Sequence, residues 1–182
     1  MEEVILVNDQ DEPLGKIEKM EAHLRGKLHR AFSVFIFDGD GRMLLQQRAP
    51  NKYHSGGLWT NACCSHPRPG ENTTVAGRRR LKEEMGFDTA LEPMFQFTYK
   101  AAFENGLVEH EFDHVFYGEY TGEIIPDKDE VLSYRYEHMN EIENQLEQQP
   151  EKFTAWFRIA FPRVKQWLRN KNTERRSTSG QD

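Results

Sequence analysis

The 182-residue chain is short of three things: cysteine, of which it has two, long apolar runs, and net positive charge. Each shortage excludes a class of protein. The two cysteines are neighbours, Cys63 and Cys64. Bridging neighbours strains the peptide between them, so a disulfide framework is a poor reading and a reducing, cytoplasmic setting is expected. No apolar run approaches the roughly 20 residues that cross a bilayer, so no membrane partner is expected. Lys and Arg number 24 against 30 Asp and Glu, and the resulting charge of −6 argues against a nucleic-acid partner. The opening MEEVILVNDQDEP is acidic and has no basic segment of the kind that begins a signal peptide. Hydrophobic residues make up a low 37%, yet clusters such as AFSVFIF can still build one core.

The length suits a single domain over 1–168, followed by RNKNTERRSTSGQD (169–182), a tail with no apolar anchor that is expected to be disordered. EVILVN and LGKIEK read as strands around a turn, and AFSVFIFDGDGRMLLQQR as a hairpin whose Asp-Gly pairs suit positive φ. PGENTTVAGRRRLKEEMGF reads as a helix that Asn72 or Thr73 can cap and Gly86 can end. Further strands are expected over 94–102, 107–118 and 131–136, and a polar helix over 138–148. Phe153, Trp156, Phe157, Ala160, Val164, Trp167 and Leu168 recur at helical spacing, with Pro162 expected to kink or split that helix. The order predicts an α/β fold of the mixed type, a mixed sheet sandwiched between helices, with strands added at the N-terminus and helices at the C-terminus.

Three local features carry chemistry. TNACCSHP (60–67) lies in a Gly/Pro-rich stretch that reads as a loop, and its paired cysteines suit a structural thiol, a metal ligand or a reactive group. RRRLKEEMG places Arg79 and Arg80 each four residues before a glutamate, Glu83 and Glu84, which alone means no more than surface ion pairs. LVEHEFDHVF alternates as a strand does, so Glu109 and Glu111 share a face about 7 Å apart. The ordinary role of such glutamates is a solvated outer face, and that of His23, His29 and His66 is surface or core filling.

The helix after its Gly/Pro-rich loop ends in Glu-Glu-x-Gly and resembles the end of a Nudix box running from Ser65 through Glu71, Arg79, Leu81, Glu83 and Glu84. It departs from that box at Ser65, where the box has glycine, and at Arg80, where it has a metal-binding glutamate. Losing that carboxylate weakens the case for Nudix hydrolysis of a nucleoside or prenyl diphosphate, which is the rival function. A second rival, a non-catalytic diphosphate-binding module on a Nudix scaffold, leaves the cysteine, glutamates and histidines unexplained.

AHLRGKLHRAFSVFIF, LLQQRAPNKYHSGGLWTNACCSHP, RRRLKEEMG and GLVEHEFDHVF together resemble the type 1 isopentenyl-diphosphate delta-isomerases in their short bacterial form, over roughly residues 2 to 168. The resemblance implies interconversion of isopentenyl and dimethylallyl diphosphates in isoprenoid biosynthesis, by protonation and deprotonation through a tertiary carbocation-like species. It implies Cys64 and Glu111 as the acid/base groups, Cys63 as a bystander, Tyr99 as a relay and Trp156 as the aromatic facing the cation. A thiol shifted toward ionisation by nearby positive charge is the expectation for Cys64. The resemblance further implies His23, His29, His66, Glu109 and Glu111 around one Mn²⁺ or Zn²⁺ ion. Lys19, Arg48, Lys52 and Arg80 would bind the diphosphate, and Glu84 with the Cys64 backbone carbonyl would hold Mg²⁺ against it. The expected partner is that small prenyl diphosphate alone, acting on a monomer or weak dimer.

Overall fold

The computed structural model describes residues 1–178. Strands β1 (Glu3–Val7) and β2 (Pro13–Glu18) lead into a short helix α1 (Lys19–Arg25). The hairpin of β3 (His29–Phe37) and β4 (Met43–Arg48) follows, then two short strands β5 (Trp59–Thr60) and β6 (Cys63–Ser65). Helix α2 (Thr73–Met85), strands β7 (Glu92–Ala102), β8 (Val108–Glu119) and β9 (Val131–Glu137), and helices α3 (Met139–Gln148) and α4 (Ala155–Thr178) complete the chain. The expected mixed fold is present. Antiparallel pairs dominate, but β3 and β8 run parallel over nine residue pairs, from His29 opposite Glu111 to Phe37 opposite Glu119.

Local chemistry explains the elements that were legible. At the β3–β4 turn, the Asp38 carboxylate accepts from the backbone N–H of Asp40 and Arg42, at 3.0 and 2.9 Å, and Gly41 takes φ +76°. Asn72 caps α2 by accepting from the N–H of Thr74 and Val75, and Gly86 ends the helix at φ +77°.

Period-two alternation along β3 then builds two layers. Phe32, Val34 and Ile36 face α2, where they meet Leu81, Met85 and Phe116. Phe35 and Phe37 face α4, where they meet Phe157, Phe161 and Val164.

Three expectations change. TNACCSHP is not wholly loop: Cys63–Ser65 forms β6, paired with β3 so that Ser33 lies opposite Cys64. A three-residue strand is set by its nonlocal partner and leaves no pattern of its own. Pro162 does not split α4. Its missing N–H deprives only the carbonyl of Arg158, a residue on the exposed side, while Phe157, Phe161 and Val164 hold the helix to the sheet. Finally, α4 continues past residue 168, where a disordered tail was expected. Lys171 anchors it, with its Nζ 4.2 Å from the Tyr117 ring centre and 4.7 Å from that of Trp167, and with an ion pair to Glu92. Residues 179–182 of that tail lie outside the described residues. No helix among the described residues is long and apolar enough to cross a membrane.

Gly86 offers a test of the helix stop. A Cβ there would meet the Ile125 carbonyl oxygen at 2.2 Å, whereas at Gly106, also left-handed at φ +82°, nothing lies within 4 Å. Gly106→Ala should cost only the left-handed conformation, about 1–2 kcal/mol. Gly86→Ala should cost clearly more, because backbone must move as well. Urea titration of the two variants checks this, and equal losses would contradict the packing described.

Candidate active site

The polar groups gather at one end of the faces that become core further along. On β3, His29 and Ser33 precede Phe35 and Phe37, and on β8, Glu109, Glu111 and Asp113 precede Val115. All five polar side chains are buried, so the solvated outer face ordinary for such glutamates does not apply. Helix α1 brings His23 to the same end, and β6 brings Cys64 and His66.

His23, His29, His66 and Glu111 each present one ligand atom, all within 4.8 Å of one another. The donor chemistry fits a divalent cation. Nδ1 of His23 lies 2.7 Å from the Lys19 carbonyl and Nδ1 of His29 lies 2.8 Å from that of Lys27, so both rings donate there and turn Nε2 inward, the nitrogen whose lone pair a cation would take. His23 Nε2 is buried with no hydrogen-bond partner, and the Nε2 atoms of His29 and His66 face each other at 3.2 Å. A cation would give the His23 nitrogen its missing partner.

Glu109 belongs to an overlapping group with His23 and His54 rather than to the four-residue one. The five expected ligands therefore do not form one compact set, and His23 is the member common to the two groups. His54 went unnoticed in the sequence, although it lies only two residues past Lys52, within KYHSGG. Its Nε2 lies 2.8 Å from Oε1 of Glu109, but off the direction of a hydrogen bond.

Tyr99 links the two carboxylates, with its hydroxyl 2.9 Å from Glu109 Oε2 and 2.6 Å from Glu111 Oε2. One phenolic proton cannot serve both. Burial, reinforced by the Glu111 charge, pushes Glu109 up to about 8, so Glu109 keeps a proton at neutral pH and can supply the second hydrogen bond. Burial acts on Glu111 in the same direction, but the His29 and His66 imidazoles, whose Nε2 atoms lie 3.6 and 2.9 Å from its Oε1, outweigh it and hold that carboxyl well below its usual range. Burial lowers His23 to about 4 and His54 to about 3, so both rings are neutral.

Cys64 faces these carboxylates across a small cavity that Tyr99, Glu109, Glu111, His54 and Trp156 also line. Its sulfur accepts from the Trp156 indole N–H at 3.0 Å, lies 3.1 Å from Asn61 Oδ1, to which the thiol donates, and 3.5 Å from Ser33 Oγ. The expectation of a thiol shifted toward ionisation is corrected here. Burial pushes it well above its usual range, and the charge of Asp113 adds to that, so Cys64 is a thiol at neutral pH. Cys63 points the other way, into the apolar layer under α2. Trp156 is both packed in the core and part of the cavity wall.

A second cavity opens beside the first, sharing Arg48, Tyr53, Cys64, Ser65 and His66 with it. Lys19, Arg48, Lys52, Arg80 and Glu84 all line it, so the expected diphosphate residues do come together. Most are already paired: Lys19 with Glu2 at 2.5 Å, Lys52 with Glu130, and Arg80 with Glu84 at 2.6 Å. Arg48 instead stands 5.2 Å from the Trp156 ring centre. Gln46, also missed in the sequence, donates to Glu84 at 3.0 Å and to the Ala62 carbonyl at 2.7 Å.

Comparison with known proteins gives the family and the fold. The NUDIX domain model matches residues 27–157. An isopentenyl-diphosphate Delta-isomerase of Pectobacterium atrosepticum is 52% identical over 164 residues, covering 89% of this chain and 90% of that protein. One of Burkholderia multivorans is 51% identical, covering 90% and 93%. Among solved structures, a Deinococcus radiodurans protein superposes with a TM-score of 0.73 at 18% identity, covering 89% of this chain and 98% of that one. A MutT protein of Methanosarcina mazei gives 0.64 at 18% identity, covering 79% and 95%, and these two likenesses speak for the fold alone. With half of its residues shared with such relatives across nine-tenths of its length, the chain belongs to the isopentenyl-diphosphate Delta-isomerase family, on a Nudix fold.

Proposed function

We propose that this enzyme interconverts isopentenyl and dimethylallyl diphosphates as a cytoplasmic step of isoprenoid biosynthesis. The observation that carries the reading is the placing of a protonated thiol, Cys64, and an ionised carboxylate, Glu111, around one cavity that joins a cationic one. An unactivated alkene is a poor base, so the costly step is adding a proton to its terminal carbon. The resulting tertiary cation is a strong acid that gives up a proton from C2 even to a weak base. Cys64 in its thiol form supplies the first proton, and the Trp156 N–H stabilises the thiolate left behind. Glu111, in contact with Tyr99, takes the second. The π face of Trp156 favours the cation in between, since cation–π attraction strengthens where water is excluded.

Lys19, Arg48, Lys52 and Arg80 bind the diphosphate through charge-assisted hydrogen bonds, exchanging their carboxylate partners for phosphate oxygens. Glu84 and the Cys64 backbone carbonyl would hold Mg²⁺ with that diphosphate, oxygen donors being what this ion prefers. His23, His29, His66, Glu109 and Glu111 would hold Mn²⁺ or Zn²⁺, imidazoles selecting against magnesium. A cation there supplies fixed positive charge beside Glu111 and steadies the carboxylate. Arg80, paired with Glu84 where a hydrolase would carry a further carboxylate, speaks against diphosphate cleavage.

Proton NMR of isopentenyl diphosphate in deuterated water, with enzyme and Mg²⁺, tests the function. Dimethylallyl diphosphate carrying deuterium is expected. Release of phosphate with no alkene shift would instead identify a hydrolase.

Cys64→Ser should lose most isomerase activity, because a serine hydroxyl is a far weaker acid, while metal binding survives. Cys63→Ser should stay active and lose on the order of 1 kcal/mol of stability. The reverse pattern would move the catalytic role to Cys63, and equal losses would indicate a thiolate metal site.

Metal binding should also release a proton. Glu109, pushed up to about 8 in the metal-free site, must ionise to ligate, so affinity should rise between pH 6 and pH 8, by at most about tenfold per unit. Isothermal titration with Mn²⁺ in buffers of different ionisation enthalpy measures the proton count. A count of zero at pH 7 would contradict ligation by Glu109.

A further inference from the structure

We propose that His54 is a ligand of the same cation, a fourth imidazole that fills the position left open by the three histidines and two glutamates. The inference rests on reading that cluster as the metal centre. His54 and His23 each bury an Nε2 atom that has no hydrogen-bond partner. One ligand atom from each of His23, His54 and Glu109 lies within 4.8 Å of the others, and His54 Nε2 is 2.8 Å from Glu109 Oε1. A buried ring nitrogen normally finds a partner, and leaving one without costs about 1–3 kcal/mol. Two such atoms aimed at one carboxylate are a ligand set.

His23 has a single free ring nitrogen, because Nδ1 is committed to the Lys19 carbonyl. It cannot serve two ions. One cation shared by the group with His29, His66 and Glu111 and the group with His54 and Glu109, with His23 as their common vertex, gives both unpartnered nitrogens a ligand role. Tyr99 already spans the two groups by touching both glutamates.

The backbone around His54 is built to turn the ring inward. Ser55 takes the left-handed conformation at φ +53°, a strained choice for a non-glycine residue. Around it, Asn105 donates to the Tyr53 carbonyl at 2.9 Å, Arg48 to the His54 carbonyl at 3.3 Å and Gln47 to the Gly57 carbonyl at 3.0 Å. The ring itself stacks on Phe103 with centres 4.5 Å apart and planes 7° from parallel, and His54 Nδ1 lies 3.2 Å from the Ser55 hydroxyl. Both contacts leave Nε2 facing the site. Four imidazoles and two carboxylates make six donors, so no coordination position remains for substrate, and the ion favours zinc, cobalt or manganese over magnesium.

His54→Phe keeps the aromatic stack on Phe103 and removes the nitrogen, and His54→Ala removes both. Zn²⁺ affinity by chelator competition and X-ray absorption of the Zn²⁺-loaded full chain are the readouts, with metal-free thermal melts as the measure of folding. The wild type should show four imidazoles and His54→Phe three, with Zn²⁺ affinity at least about tenfold weaker and the metal-free melt little changed. His54→Ala should lose affinity to the same extent whatever its melt. Three imidazoles in wild type and His54→Phe alike, with unchanged affinity, would overturn the proposal while leaving the metal centre intact. That centre is checked separately by His29→Ala, which should abolish tight binding. A wild type that binds no Zn²⁺ at all would overturn both.

Discussion

The parallel pairing of β3 with β8 is the constraint on which the site depends. It sets His29 opposite Glu111 and carries the two strands in step for nine pairs. A slip of one residue would turn every side chain of one strand to the opposite layer. The glutamates would then face α2, and Phe112 and Phe116 would face the cavity. The register is held by the apolar half of each strand, where Phe35, Phe37 and Val115 pack against α4 and Ile36 and Phe116 against α2. Hydrophobic burial at one end therefore stabilises an expensive arrangement at the other, where His29, Glu109, Glu111 and Asp113 sit out of water.

The two cavities divide the chemical work along a line through Cys64, Arg48 and His66, which border both. On one side the charges are balanced locally, with each carboxylate answering a lysine or arginine at short range. On the other they are balanced by sharing protons, with Tyr99 between Glu109 and Glu111 and two histidines on Glu111 alone. The contrast explains how two glutamates two residues apart take opposite protonation states. Both are buried and both have an imidazole nearby, but His54, 2.8 Å from Glu109, makes no hydrogen bond to it, whereas His66 bonds Glu111 at 2.9 Å with His29 beside it.

Local signals made much of this legible. Asn72 and Gly86 mark α2 because capping is chemistry between near neighbours, and the alternation of LVEHEFDHVF marks β8 for the same reason. Alternation says which residues share a face and not which face is wet. That Glu109 and Glu111 are buried follows from a strand some 80 positions earlier in the chain. The same nonlocality hid β6, and it reversed the expected direction for the Cys64 thiol, whose enclosure by Trp156, Asn61 and Ser33 comes from three separate segments. His54 had no periodic neighbours to announce it. Its place depends on Phe103 and Glu109, which arrive from β7's end and from β8.

Helix α1 is only seven residues long, and it carries both Lys19 at its start and His23 one turn later. The ring of His23 holds the backbone carbonyl of Lys19 at 2.7 Å, which ties the two residues together across one helical turn. His23 belongs to the histidine and glutamate cluster, and Lys19 lines the cationic cavity. Whatever fixes the ring also fixes the ammonium group's point of attachment. The two halves of the site thus share a single turn of backbone as their common footing.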